Sequence, residues 1–332
     1  MQTLTRTDSQ LRENTAAGVP LFVDAATDLV AKPGRTPGSW YVNCAFVSRG
    51  KTLGFLWHQG ITGQGSETRF LLMNCSDGKW VPHVLAEPLG ANVGASSSKC
   101  EVSSSCGTLS GDRSCLVLKV RAGSDALDVV LTPGPEVLYN GTLGTLPLFG
   151  MQSFEYGFPN VAANGTMMID GEEFPVDSGA AWFDRQWGSL ADPAQPAAPI
   201  DLDALAWTWL GMTLDPAGHQ AISFWDVREP SDKRATFLTF LREDGVQMNV
   251  DATVAYDRIW TSPDTGHRYP GSARITAPKI GLDIQLRALL DRPEFVGKGQ
   301  SGCQSPCRAT GRFGSVRIGK PVIFEMIGNV GG

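Results

Sequence analysis

The chain has 332 residues, of which 42% are apolar and 19% charged, and its 28 Lys and Arg against 34 Asp and Glu leave a net charge of −6. A length of this order holds roughly two domains with separate cores. Cations dispersed through an acidic chain form no basic stripe for nucleic acid, and no apolar run approaches the ~18 residues of a membrane helix. The polar start of the chain, with Arg6, Asp8, Arg12 and Glu13 before Gly18, has no apolar h-region, so a cytoplasmic protein without a secretory signal is expected.

With 38 Gly and 21 Pro, turn residues recur about every 8–12 positions between short apolar or alternating runs, the pattern of antiparallel β architecture. Strands are predicted at 40–48, 53–57, 69–74, 116–120, 128–131, 165–170 and 181–187. Asp170-Gly171, between Met168-Ile169 and Phe174-Pro175-Val176, is a two-residue hairpin signal. Residues 191–199 hold three prolines and four alanines, which no sheet or helix interior tolerates, so 191–205 is predicted to link domains at 1–190 and 206–332. Beyond it, strands are predicted at 206–214, 220–227, 235–242, 247–257, 272–277, 283–290, 309–316 and 321–328. An internal echo crosses the linker: Trp40, Gly50 and Trp57 correspond to Trp209, Gly218 and Trp225 at offsets of 169, 168 and 168.

The seven cysteines include Cys100, Cys106 and Cys115 in a Ser-rich segment and Cys303 and Cys307 four apart. Neither tight CxxC pairs nor neighbouring histidines accompany them, so free thiols and no metal site are expected. The sequons at Asn74, Asn140 and Asn164 are formal glycosylation matches, but Asn140-Gly141 and Asn164-Gly165 read better as turns. Nucleophilic hydrolysis has no support: there is no Gly-x-Ser-x-Gly elbow, and His58, His83, His219 and His267 stand in no triad context. No phosphate-cradling Gly-rich loop occurs, and no cofactor is expected.

The densest chemistry lies at 180–188, Ala-Ala-Trp-Phe-Asp-Arg-Gln-Trp-Gly. In a strand, Trp182, Asp184 and Gln186 share one face, and Phe183, Arg185 and Trp187 the other. An acid beside an indole can keep its proton and act as a general acid. The alternative is an edge strand whose Asp184 and Arg185 pair in solvent while the indoles cap a core. His58 at a strand end is either a rim hydrogen-bonder or part of a barrel mouth. Glu155 is a second carboxyl, and Tyr156 is either a phenol that polarises a carbonyl or a packed core residue. Asp226 reads as a surface charge. Met151, Met167, Met168 and Met212 are either deformable pocket lining or ordinary core.

Four segments carry a family resemblance. An aromatic pair at 154–156 leads through Asn164-Gly165-Thr166 and Asp170-Gly171 to Trp182-Phe183-Asp184-Arg185-Gln186-Trp187-Gly188; residues 207–228 read as a strand pair; Arg268-Tyr269-Pro270 precedes further strands to Asp291; and Phe324-Glu325-Met326-Ile327-Gly328 closes the chain. Together these resemble the lipocalin-like superfamily of AttH proteins, carotenoid 1,2-hydratase, kievitone hydratase and decalin-forming Diels–Alderases, over about residues 35–330. Many relatives have His after the Asp, where this chain has Arg185, and the opening motif of hydrolase-type relatives is replaced by Asp24-Ala25-Ala26 and Ser39-Trp40-Tyr41. A His-dependent hydrolytic mechanism is therefore not carried over.

The resemblance implies an all-β fold of two lipocalin-like antiparallel β-barrel or β-sandwich domains in tandem, without a cofactor, and an apolar pocket in the first barrel or at the junction. The expected activity is a cofactor-free intramolecular [4+2] cyclisation of a hydrophobic polyene. The alternatives are a hydratase, with Asp184 or Glu155 protonating an alkene, and a non-catalytic carrier of a hydrophobic small molecule. The expected catalytic residues are Asp184, Tyr156 and Glu155, and the expected substrate wall is Trp40, Trp57, His58, Trp182, Gln186, Trp187, Trp209, Met212 and Trp225.

Overall fold

A computed structural model describes residues 14–63, 65–148, 151–188, 205–228, 234–298 and 300–331. Nearly all ordered structure is antiparallel β, in two curled half-barrel sheets of 13 and 11 strands. The linker predicted at 191–205 lies outside the described residues except for Leu205, which is buried. None of the described residues forms a helix long and apolar enough to cross a membrane.

The first sheet runs, in spatial order, Lys79–Glu87, Ser66–Asn74, Lys51–Ile61, Gly38–Ser48, Glu172–Gly188, Met151–Ile169, Asp125–Pro133, Cys115–Ala122, Gly107–Asp112, Cys100–Ser104 and Gly94–Ala95. The second runs Thr15–Ala16, Gln247–Val250, Arg234–Leu241, Ala221–Arg228, Ala206–Thr213, Val316–Ile327, Ser301–Phe313, Leu282–Ala288, Arg268–Ala277 and Thr253–Thr261. The two orders match strand for strand around their centres. The strand pairs that carry the tryptophan echo, Gly38–Ser48 with Lys51–Ile61 and Ala206–Thr213 with Ala221–Arg228, hold the same place in each sheet. Thr15–Ala16 pairs with Gln247 and Met248, so the start of the chain edges the second sheet.

The Asp170-Gly171 turn joins the two longest strands, Met151–Ile169 and Glu172–Gly188, with both residues at positive φ (51° and 79°) as a type I′ turn requires. The register slips between Phe158 and Ala163, where bulges add the curvature that wraps this hairpin around the core. Eight strands among the described residues were not anticipated, the longest of them Lys79–Glu87, Gly107–Asp112 and Cys100–Ser104, and the run at 247–257 divides in two. Pro82 hides the first of these from a pattern search; its strand is an edge, where a missing N–H is tolerated.

Each sheet encloses its own core. Trp40, Phe55, Trp57, Phe158, Phe183 and Trp187 fill the first, and Leu210, Met212, Phe224, Tyr269, Ile284 and Phe324 the second. A third buried cluster lies where the outer faces of the sheets meet, and includes Tyr41, Leu56, Trp182, Trp207, Trp209, Trp225 and Phe237. Polar contacts tie this seam: the Tyr139 N–H donates to Gln247 Oε1 (2.7 Å), the Gly141 N–H to Thr239 Oγ1 (3.0 Å) and Trp80 Nε1–H to the Glu294 carbonyl (2.9 Å).

Candidate functional site

Strand alternation decides which side chains meet. Along Glu172–Gly188, Phe183 and Trp187 enter the first core and Trp182 enters the seam. Asp184 therefore points to the seam, and cross-strand pairing brings Tyr41 opposite it on one side and Gly157 on the other. Glu155 pairs with Gln186 and shares that face. From the second sheet, Trp209 pairs with both Trp225 and Glu325, and Glu325 with Gln304.

Close approach at the seam depends on two glycines. A Cβ at Gly157 would lie 2.5 Å from Asp184 Oδ1, and one at Gly211 would lie 2.6 Å from the Trp182 indole. The Trp182 ring meets Trp209 edge-on at 5.7 Å, Trp209 meets Tyr41 edge-on at 5.4 Å, and Trp225 continues the wall to Phe237, stacked at 6.5 Å.

The polar groups in this wall are buried and only partly matched. Trp207 Nε1–H donates to Glu325 Oε1 (2.7 Å), Gln304 Nε2–H donates to Glu325 Oε2, and the Tyr41 hydroxyl donates to Gln304 Oε1 (3.2 Å). Asn140 Nδ2–H donates to Glu155 Oε1 at 2.8 Å. Asp184 Oδ1, Glu155 Oε2 and His58 Nδ1 complete no hydrogen bond. Buried polar atoms without protein partners are costly, so these are open to a water or a ligand.

Electrostatics divide the acids. Burial pushes Asp184 well above the usual carboxylate range; the Trp182 indole N–H pulls the other way and the nearby Glu325 carboxyl adds to the rise. Glu155 is likewise driven well up by burial and by Asp184 and Glu325. Glu325 is raised by burial too, but its two hydrogen-bond donors and the Arg69 guanidinium oppose the shift. Burial thus favours the neutral acid at all three, most strongly at Asp184 and Glu155 and least at Glu325, whose donors favour its carboxylate. Burial and Arg69 push His58 well below its ordinary value, so it is neutral. Tyr41 is held as the phenol by burial, Glu325 and Asp184. Among the described residues, no group of three or more His, Cys, Asp and Glu is placed to hold a metal ion.

The family model described as AttH-like matches residues 77–316, most of the chain. The chain belongs to the AttH-like family. Among solved structures, a protein assigned to AttH from Nitrosomonas europaea is similar at 20% identity and a TM-score of 0.77, covering 95% of this chain and 99% of the other. Kievitone hydratase from Nectria haematococca is similar at 18% identity and 0.76, covering 92% of each chain. CghA is similar at 12% identity and a TM-score of 0.51, covering 96% of this chain and 99% of the other. No curated protein matches the chain in sequence.

In this AttH-like protein the expected site residues divide by sheet face. Asp184, Glu155, His58, Trp182, Gln186, Trp209 and Trp225 belong to the seam face. Tyr156 does not: it pairs with Arg185 and packs in the first core against Phe158 (5.5 Å) and Trp187 (6.3 Å), on the sheet face opposite to that of Asp184. Trp40, Trp57 and Trp187 also lie inside the first core, and Met212 inside the second. The side chain of Met151 lies outside the described residues.

Two further expectations are corrected. Asp184 and Arg185 do not pair in solvent on an edge strand: both are buried, on opposite faces of a strand central to its sheet. Asp226 is no surface charge but a buried carboxylate, held by Arg234 (2.6 and 3.0 Å), Thr236 (2.7 Å) and Tyr256 (2.7 Å). The seam residues missed from sequence are Tyr41, Arg69, Asn140, Gln304 and Glu325. Only Tyr41 had a local signal, alternating with Trp40 in a predicted strand; Glu325 and Gln304 meet Asp184 by sheet packing alone.

Proposed function

We propose that this AttH-like protein is an enzyme that adds water to an alkene of an apolar, unsaturated small molecule, with Asp184 as proton donor. The observation that carries the reading is the Asp184 carboxyl: buried, pushed by that burial well above the usual carboxylate range, with Oδ1 unbonded, inside an indole wall and near Glu325. In the first step the Asp184 O–H bond breaks and the alkene π pair forms the new C–H bond. The cation left on the neighbouring carbon faces Trp182 and Trp209, whose ring faces attract positive charge. Water then forms the C–O bond and returns a proton to Asp184, so the acid is restored and the net change is one H₂O. Glu155, anchored by Asn140 with Oε2 free, is placed to orient that water. Kievitone hydratase, at 18% identity, shares this fold.

The continuous wall from Tyr41 through Trp182, Trp209 and Trp225 favours a second reading, cyclisation of a polyene pressed into a reactive conformer with Tyr41 polarising its carbonyl. Product mass separates the two. Isoprenoid and polyene substrates incubated with catalytic amounts of protein in H₂¹⁸O should give a hydrated, ¹⁸O-labelled product. An isomer of unchanged mass would replace hydration with cyclisation, and no conversion beyond one equivalent would leave a carrier.

A further inference from the structure

On the barrel side of the same strand lies a feature that the seam chemistry does not use. Arg185 is fully buried, with its guanidinium 4.0 Å over the Trp40 ring and 5.0 Å from the Trp187 ring. Its hydrogen bonds go to backbone carbonyls, Ser39 (3.2 Å), Val30 (2.8 Å) and Gln186, and Nε has no partner. Among the described residues no carboxylate lies within ion-pair distance of it. Asp28, which acts on it from further away, is already engaged by Lys32 and by the Asp24 N–H (2.9 Å). A buried cation without a counter-ion is costly, and burial accordingly pulls Arg185 down to about 10.

Arg185 and Trp40 form part of the wall of a cleft of about 610 Å³ that opens to solvent. Lys32 and Arg35 line it too, set over the stacked Trp187 and Phe154 rings at 5.6 and 5.1 Å. Ile61 and Val93 give the cleft an apolar side; of its charged lining residues Lys32 is paired with Asp28 and Glu101 with Lys99, which leaves Arg35 and Arg185. In a chain of net charge −6 this is a local excess of positive charge beside an apolar wall.

We propose that this cleft binds an apolar carboxylic acid, with the carboxylate among Arg185, Lys32 and Arg35 and the hydrocarbon along Trp40, Ile61 and Val93. The site is separate from the seam, since Arg185 and Asp184 project from opposite faces of one strand. A planar carboxylate matches a guanidinium better than other small acceptors do, and it supplies the missing counter-charge.

The test is fluorescence titration with cis-parinaric acid and with its methyl ester, which has the same chain and no charge. The acid should bind at least roughly tenfold tighter than the ester, the ratio expected from one charge-assisted contact. Lys32→Met combined with Arg35→Met should remove most of that preference, and Ala95→Trp, which fills the cleft, should weaken both probes. Asp184→Asn should leave the titration unchanged. Arg185→Met is the direct variant but risks the fold through its carbonyl contacts, so the rim and filling variants keep the test independent of it. Equal affinity for acid and ester, or binding indifferent to the cleft variants but lost in Asp184→Asn, would overturn the proposal.

Discussion

Replacing Asp184 with Asn should yield a protein that is inactive and, at neutral pH, more stable than the wild type. Asn keeps the shape of the buried carboxyl but cannot release a proton, and a positioned general acid contributes ~10²–10⁴-fold to rate. The stability effect follows from the same burial that raises the Asp184 carboxyl above its ordinary value. In the unfolded chain an Asp ionises near about pH 3.9. Below that pH both states are protonated and the folded state loses nothing. As pH rises from there through the raised folded value, the unfolded chain sheds its proton first. The wild type therefore loses up to about 1.4 kcal/mol of stability per pH unit from this one group, levelling off above the folded value. Asn has no such slope. Glu155 and Glu325 titrate with Asp184, so the variant retains part of the overall pH dependence. The assay is a set of melting curves from pH 4 to 8 beside turnover measurements. The melting-temperature difference, variant minus wild type, should grow more positive with pH, by about 2–4 °C for each ~1 kcal/mol in domains of 150–250 residues. A difference that is flat across this range, or a folded variant with wild-type turnover, would refute the reasoning.

Gly157→Ala places a methyl 2.5 Å from Asp184 Oδ1 and should cost about 1–3 kcal/mol by overpacking while lowering turnover; a variant with wild-type melting and kinetics would show that the carboxyl is not held as described. Tyr41→Phe leaves Gln304 Oε1 without its donor and should cost about 1–3 kcal/mol, read by urea unfolding. Trp209→Ala removes the centre of the seam wall and should cost about 3–5 kcal/mol, with turnover of bulky substrates suffering most. Of the seven thiols only Cys115 is exposed, and burial lifts Cys75 and Cys307 to about 12 and Cys100 to about 11. A thiol reagent should therefore label Cys115 first in the native protein and all seven after unfolding, and a count well below seven would reveal disulfides.

Much of the architecture was legible before any coordinates. Alternation and turn spacing placed most strands, because a half-buried strand must repeat every two residues and its turns need Gly, Asn or Asp. Asp170-Gly171 marked its hairpin through backbone conformation alone, which is a local property. The assignment of Trp182 and Asp184 to one face, and of Phe183, Arg185 and Trp187 to the other, also came from period two and matches the two cores. Lys79–Glu87 escaped because edge strands tolerate Pro and need not alternate.

Alternation names the members of a face but not what that face meets. Tyr156 sits next to Glu155 in the chain, and that adjacency in a strand guarantees opposite sides, so one went to the core and the other to the seam. Trp40 and Trp57 share strand positions in the fold with Trp209 and Trp225, yet the first pair faces inward and the second faces the other sheet. Glu325 came near Asp184, and Gln304 near Tyr41, through the packing of residues far apart in the chain, and the raised carboxyl values depend on the water that packing excludes. Local sequence determined strands, turns and faces because these depend on neighbouring backbone and steric preferences. The environment of Asp184 was decided only by the packing of two sheets, since burial and a distant carboxylate are properties of three-dimensional neighbours.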